Sequence, residues 1–348
     1  MNTASVPVKD SVPIPAPAAQ DSATVEPPAQ GTVPAVTWRN LLSVPAACGI
    51  GIGIHLAVLK NDPEPDTSSY TIFLGGILGL SILLSLFQTF SPALRRWMAH
   101  MHPIIAGAVG LLCVWELITS GFRWLPLPYF PSPASVLRNL LLDWELLFDS
   151  TWHSLLLLIC GYVLGAFVGI VTGICIGWFR RARYWGMPLL KVVGPIPATA
   201  WIPLAMVISP RPILSAVGLI ALAVWFPVTM LTMSGIANTR ASYLDVARTL
   251  GAGSSFLIFR VAIPAAMPNI FLGLFMGLGA SFLTLIVAET VGVRSGLGWY
   301  VSWAQGWAEY GKVYAALVIM AAFFSTIMTA LFKLRDRVLV WQKGTIKW

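Results

Sequence analysis

Charge is what this 348-residue sequence has least of. Only 10% of its residues are Asp, Glu, Lys or Arg, against about 25% in soluble globular domains. Hydrophobic residues make up 57% of the chain, and the mean hydropathy is +0.78. A soluble chain of this length has no use for so much apolar surface, so the composition points to an integral membrane protein. Four cysteines, Cys48, Cys113, Cys160 and Cys175, lie inside apolar runs and form no C-x-x-C pair. They read as small buried hydrophobes, not as zinc ligands or disulfides. The four histidines are scattered. His100 and His102, beside Pro103, have poor metal-site spacing, so no metal is expected. No G-x-x-x-x-G-K-[ST] run offers a cradle for phosphates, so no nucleotide or other cofactor is expected on this chain. A membrane-embedded enzyme would need a His/Asp/Glu cluster near the interface, and the histidines are too dispersed to supply one. No soluble segment mixes basic residues with aromatics, so the net charge of +8 does not indicate nucleic acid.

What is present is a series of long, continuous apolar runs, which read as helices and not as the short alternating strands of a membrane barrel. Residues 1–40 are rich in Pro, Ala, Val, Ser and Thr and read as a disordered tail. No short apolar region with a cleavage site precedes Leu41, so no signal peptide is expected. Eight candidate spans follow: Leu41–Leu59, Tyr70–Phe90, Ile104–Ser120, His153–Phe179, Pro188–Ile208, Ile213–Ile236, Ile270–Val291 and Val313–Phe332. Each is near the ~20 residues a bilayer requires. The first is the weakest, because it holds Pro45 and His55. Leu125–Leu147 is too polar and Pro-rich to span, and it reads as a turn followed by a short amphipathic helix from Ser135 on the outer surface.

The basic residues orient these spans. With a cytoplasmic N-terminus and eight alternating spans, sixteen of the 22 Lys and Arg fall on the inside or at its edge. Lys60, Arg123, Arg138, Arg211, Arg294 and Lys312 fall outside. The positive-inside rule then places both termini in the cytoplasm. It puts the polar stretch "YLDVARTLGAGSSFLIFRVAIP", Tyr243–Pro264, there too. Ser242 and Asp245 have capping-box spacing and predict a helix start. Gly251 stands where that helix must turn in the left-handed region. Ser254 or Ser255 can cap a second short helix. The loop thus reads as helix–Gly–helix, either an ordinary solvated connection or a docking element.

The spacing "DVARTLG", nine residues, "VAIP" resembles the signature loop of bacterial ATP-binding-cassette importer permeases, E-A-A, three residues, Gly, nine residues, I-x-L-P. Asp245 stands for the Glu, Val246 and Ala247 for the two Ala, and Gly251 for the Gly. Val261, Ile263 and Pro264 stand for the Ile, Leu and Pro. Asp245, Val246 and Val261 are mild departures. "FPSPASVLRNL", "GPIPATAWIPLAMV" and "AETVGVRSGLGWY" resemble the nitrate/sulfonate/taurine branch of these permeases. The resemblance covers the chain from about Ile104. It implies an all-α type I permease core of six transmembrane helices over residues 101–348, with the coupling loop at 237–264. Residues 41–100 would be two extra N-terminal helices. It further implies a bacterial inner-membrane location, a cytoplasmic ATPase dimer that binds the ATP, and a periplasmic or extracellular substrate-binding protein. A second copy of the permease and a small anionic substrate complete the implied set.

Four groups of residues carry the transport expectation. Pro195, Pro197, Thr199, Trp201 and Pro203 interrupt a span, and freed backbone groups at depth are tolerated where protein or water satisfies them. This reads as a broken helix along a pathway or as a kinked packing helix. Glu116 and Glu289 are candidate intramembrane charges or interfacial ones, with Arg294 a partner for Glu289. Lys191 is an anion ligand or a snorkelling anchor. Trp299, Tyr300, Trp303, Trp307 and Tyr310 form an aromatic belt or a surface for the binding protein. Two alternatives stand beside the anion importer. One is a secondary transporter driven by an ion gradient, which would need paired mid-bilayer charges and repeat symmetry. The other is an importer permease for a non-anionic solute.

Overall fold

The computed structural model describes residues 38–58, 68–87, 91–125, 128–209 and 211–342. The tail expected over residues 1–40 lies almost wholly outside them. Among the described residues the regular structure is entirely helical. Helices α1 (Trp38–Val58), α2 (Ser68–Phe87) and α3 (Pro92–Glu116) come first, α3 running on through a π-helical turn at Leu117–Gly121. Short α4 (Pro133–Leu142) leads through Asp143 into α5 (Trp144–Trp178). Helix α6 (Arg180–Val193) and, after a 3-10 turn at Ala198–Trp201, α7 (Ile202–Ile208) return to α8 (Pro212–Ala237). Helix α9 (Ala241–Thr249) and one-turn α10 (Ser254–Phe256) connect to α11 (Ile263–Val291). Helix α12 (Leu297–Gly306) precedes α13 (Tyr310–Val338).

Among the described residues, six helical runs are long and apolar enough to cross a membrane: Ser68–Phe87, Leu94–Gly121, Trp144–Trp178, Pro212–Ala237, Ser254–Val291 and Tyr310–Val338. The chain is a multi-pass membrane protein. Several boundaries differ from the sequence reading. The span expected over Pro188–Ile208 is two helices bent by 87°, because Gly194, Pro195 and Pro197 interrupt the ladder between them. The apolar part of α1, Leu42–Val58, is shorter than a full span. The surface helix expected from Ser135 starts at Pro133, where Ser132 Oγ accepts the Ser135 N–H at 3.2 Å and proline suits the first turn. Asp143 is only a kink, so α5 starts at Trp144 and not at His153. Its 35 residues make ~52 Å, well beyond the ~30 Å hydrocarbon core.

The centre of the bundle is a close contact between α5 and α8. Gly161, Gly165, Gly169, Gly173 and Gly177 recur every four residues on one face of α5. They meet Ile220, Val224, Val228, Thr232 and Ile236, also four apart, on α8. The two sets of numbers rise together, so the helices run parallel. A methyl group on Gly169 would stand 2.8 Å from Val228 Cβ, and one on Gly173 would stand 2.6 Å from Thr232 Cβ. The same two valines are approached from α11, where Gly273 and Gly277 lie against Val228 and Val224 in antiparallel order. Lipid tails are as apolar as leucine, so helices in a membrane associate by such close packing and by interhelical hydrogen bonds. The contact also carries the latter: Thr172 and Thr229 hydroxyls lie 2.9 Å apart, and Trp225 Nε1 donates to Thr172 Oγ1 at 3.1 Å.

A second unit flanks this core. Val44 and Cys48 of α1, Tyr70 and Leu74 of α2 and Val109 and Cys113 of α3 pack together and against Ala134 of α4.

The glycine face yields a direct test. Gly169→Leu is expected to lower thermal stability in detergent sharply, since overpacking costs roughly 1–3 kcal/mol or more. Gly79→Leu on α2, where nothing lies within 4 Å of the added carbon, is expected to leave the melting temperature nearly unchanged.

Candidate coupling loop and central cavity

Helix α9 ends in a tight hydrogen-bonded cap. Gly251 has φ +83°; its N–H donates to Arg248 O at 2.9 Å, and the Ala252 N–H donates to Ala247 O at 3.0 Å. This pair of bonds is the Schellman arrangement, which requires the left-handed residue that glycine supplies. Both caps expected from serine are absent. Helix α9 begins at Ala241 with Arg240 at the cap position and no side-chain cap bond. Ser242 is therefore already inside the first turn and cannot reach back. Asp245 pairs instead with Arg248 at 3.1 Å on the exposed surface, where such a pair contributes little. The next helix is capped by the backbone of Gly253 without a side-chain bond, so Ser254 and Ser255 are helical too. That helix is not short, because it runs unbroken through a π-helical turn at Leu257–Ala262 into α11.

The exposed surface of α9 carries an apolar stripe beside polar Ser242, Asp245, Arg248 and Thr249. Tyr243, Val246 and Leu250 share one helical stripe and are 51%, 60% and 83% exposed. Ala247 is half-buried and Asp245 exposed; Val261, Ile263 and Pro264 are half-buried at the base, around fully buried Ala262. An apolar stripe at the tip of a polar loop is a surface suited to contact with another protein.

A cavity of about 380 Å³ lies against the broken segment. Pro197 and Thr199 of the break line it, with Phe226 of α8 and Met276, Ala280 and Thr284 of α11. Gly194 abuts Phe226, near the middle of α8, so the cavity sits at about half the height of the bundle. The Thr199 and Thr284 hydroxyls and the backbone of the break are its polar groups, and no charged side chain lines it. Pro195, Trp201 and Pro203 are not among its lining residues. Lys191 is exposed on α6, about one turn before the break. A larger hollow of about 530 Å³, between α5, α6 and α8, has neither a hydroxyl nor a charged group on its wall.

The two acidic candidates are both buried, each 1% exposed, and neither lines that cavity. Glu116 of α3 is paired with His55 Nδ1 of α1, and the Tyr70 ring lies 5.0 Å from that of His55, edge-on. The pair fastens the N-terminal helices to α3. Glu289 of α11 accepts from Ser154 Oγ of α5 at 2.7 Å and from the Gly298 N–H of α12 at 2.7 Å. The partnership expected between Glu289 and Arg294 is not formed; Arg294 is exposed, because the glycine turn at 296 brings the α12 backbone to the carboxylate first. Neither His55 nor Ser154 is legible as a partner in the sequence, since they lie 61 and 135 residues away.

At the same end, the aromatic group is mostly packed. Tyr300 is fully buried and Trp299, Trp303 and Tyr310 are half-buried, while Trp307 is 71% exposed. Tyr300 donates to Asp143 Oδ2 at 2.7 Å. Burial first, and then the Asp143 carboxylate, hold its phenol well above the usual range. Lys312 Nζ lies 3.3 Å from Asp143 and 2.8 Å from Glu309, above the Trp303 ring. The junctions α4–α5 and α12–α13 are thereby joined.

Residues 136–339, more than half of the chain, match the family described as binding-protein-dependent transport system inner membrane component. The chain belongs to this family. Among relatives, a Bacillus subtilis protein named for aliphatic sulfonates transport, SsuC, is 31% identical over 253 residues, 72% of this chain and 91% of the relative. The Synechococcus elongatus bicarbonate transport system permease protein CmpB is 30% identical over 262 residues, with 71% and 91% covered. A Brucella abortus protein named as an ABC transporter permease is 32% identical over 217 residues, with 61% and 86% covered. This chain is an ATP-binding-cassette importer permease, a transport subunit and not an enzyme. The permease family implies an ATPase subunit and a substrate-binding protein as partners.

The Glu116–His55 pair changes what truncation does. Removing residues 1–94 from this permease takes away the histidine and the helices that cover Glu116, and leaves the carboxylate of an apolar helix facing lipid at a cost of ~2.5–3.5 kcal/mol. The truncated protein is expected to give a low yield of detergent-stable material by size-exclusion chromatography. Adding Glu116→Leu is expected to restore much of it. Equal yields with and without the second change would show that the pair does not anchor the N-terminal helices.

Proposed function

We propose that this permease carries a small oxyanion, of the sulfonate, nitrate or bicarbonate kind, across a bacterial inner membrane. Tyr243–Pro264 faces the cytoplasm, as do both termini, and docks on the ATPase. The observation that carries this reading is the joining of two features by one helix. The exposed Tyr243–Val246–Leu250 stripe is tied by the Gly251 turn to a 38-residue helical run, Ser254–Val291, whose residues Met276, Ala280 and Thr284 line the central cavity. A docked ATPase that moves the loop moves the cavity wall with it. Asp245, Val246, Ala247, Gly251, Val261, Ile263 and Pro264 form the docking element. Pro197 and Thr199 border the crossing point, with Pro195, Trp201 and Pro203 shaping the break around them.

The uncharged wall suits passage. A deep electrostatic well would hold an anion and slow its release, and a separate binding protein supplies the selectivity. Thr199 and the backbone groups freed at the break offer weak hydrogen bonds to oxyanion oxygens. Lys191 lies off the cavity and acts as a snorkelling anchor. Two copies assemble into one pathway, because each chain offers one docking loop and the ATPases work in pairs. The printed names of the sulfonate and bicarbonate relatives support the oxyanion class.

Gly251→Pro fixes φ near −65° where +83° is required. It is expected to leave the protein inserted while abolishing copurification of the ATPase. Thr199→Phe is expected to keep the ATPase bound and to cut uptake at least about tenfold, by filling the cavity. Proteoliposome uptake of labelled sulfonate, nitrate, bicarbonate and a neutral analogue tests the charge preference. Carriage of the neutral compound alone would overturn the anion reading and leave the importer assignment standing.

A further inference from the structure

The carboxylate of Glu289 and the hydroxyl of Ser154 together occupy the N-terminus of α12. Glu289 Oε2 accepts the Gly298 N–H at 2.7 Å, Ser154 Oγ accepts the Leu297 N–H at 2.8 Å, and Ser154 Oγ donates to Glu289 Oε1 at 2.7 Å. The first two amides of α12 are therefore capped from two other helices, α5 and α11. Glycines make the approach feasible. Gly296, at φ +102°, turns the chain over the carboxylate, and a methyl group there would stand 2.3 Å from Glu289 Oε1. A methyl group on Gly298 would stand 2.5 Å from Ile286 O and 2.9 Å from Glu289 Cβ. A carboxylate at a helix start is favoured by the helix dipole, and enclosure in apolar surroundings strengthens each bond. Beside the assembly lies a hollow of about 200 Å³, lined by His153, Leu157, Cys160, Val293 and Ser295. Segment 292–296 thus has space to shift against α5.

Helix α11 joins this assembly to the docking loop in one unbroken run. We propose that Glu289 and Ser154 are positioning residues of the transport cycle, a clasp that makes α12 follow the movement of α11. A tilt imposed at residues 243–264 then reaches the opposite end of the bundle, where α12 and exposed Trp307 stand. The inference rests on the importer reading above. It assigns to these two residues the transmission of the movement, beyond the local stability that any buried hydrogen bond supplies.

The test is hydrogen–deuterium exchange on the purified complex of this chain with its copurifying ATPase in nanodiscs, with and without ATP plus vanadate. The variants are Glu289→Gln and Ser154→Ala. In the wild type, peptides spanning 292–309 and 243–264 are both expected to change exchange on nucleotide trapping. In the variants, the amides of 297 and 298 are expected to exchange on the order of tenfold faster at rest. The nucleotide response of 292–309 should then be lost while that of 243–264 persists. A merely structural role would raise the resting exchange and leave the nucleotide response of 292–309 in place, which overturns the proposal. A wild-type 292–309 segment that ignores nucleotide overturns it as well, with the importer reading intact if 243–264 responds. If 243–264 is also silent in the wild type, the docking reading and the clasp fall together.

Discussion

The close approach of α5 to α8 is the constraint from which the arrangement of the bundle follows. Between lipid-solvated helices there is no hydrophobic gain, so contact has to come from dispersion and short polar bonds. Five glycines at four-residue spacing remove the side chains that would hold the axes apart, and the β-branched row on α8 fills the groove they leave. Because the two helices run parallel, the chain must cross back between them, and α6 with α7 is that crossing. The crossing does not lie as a straight third helix beside α8; it bends by 87° where Gly194 meets Phe226. The cavity is the space left beside the bend. A pathway-like hollow at half-height is thus a consequence of parallel packing plus a proline-broken return.

The buried carboxylates show how such a frame handles charge. An intramembrane acid is a functional candidate by default, because it is costly to hold there. Here each acid is spent on joining helices distant in sequence. Glu116 meets a histidine on α1, and Glu289 meets a hydroxyl on α5 and a backbone amide on α12. Both junctions fall at the end of the bundle opposite Tyr243–Pro264, and among the described residues no charged side chain lines the cavity between the two ends. The polar investment goes into fixing helices at one end, and the middle is left free of deep wells.

The sequence made the helical class, most spans and the turn at Gly251 legible, because each rests on a local rule: apolar length, or a residue that accepts positive φ. The caps were less legible. Ser242, Ser254 and Ser255 have the right chemistry, but the helices start one or two residues earlier, and a serine inside the first turn cannot bond the amides it would have capped. The break at Gly194–Pro197 was visible as an excess of proline, while its angle and the exclusion of Trp201 from the cavity wall depend on where α8 and α11 stand. The glycine row on α5 is plain in the spacing 161, 165, 169, 173, 177, yet it specifies a close contact without naming the partner. Pairings across 61 and 135 residues have no local signal.

One mechanical consequence joins the two ends. The run from Ser254 to Val291 is ~57 Å long at 1.5 Å per residue, so it spans the whole bundle. It is stiff over most of that length but not uniformly so. Its first turns contain the π-helical segment Leu257–Ala262, where an i to i+5 bonding pattern marks a local irregularity of the kind found at functional places. Below that segment the helix is tied to α9; above it, Ala266 and Ile270 lock into the core beside Ile236. A displacement of α9 therefore acts first on the irregular turn and then on the rod. Gly273 and Gly277 face α8 at the height of the cavity, where small residues let one helix slide on another without interlocking side chains. At the far end Glu289 bonds to Ser154 of α5 and to the first turn of α12. A stiff rod that tilts at the loop end therefore acts on the cavity wall along its length and on α12 at its tip.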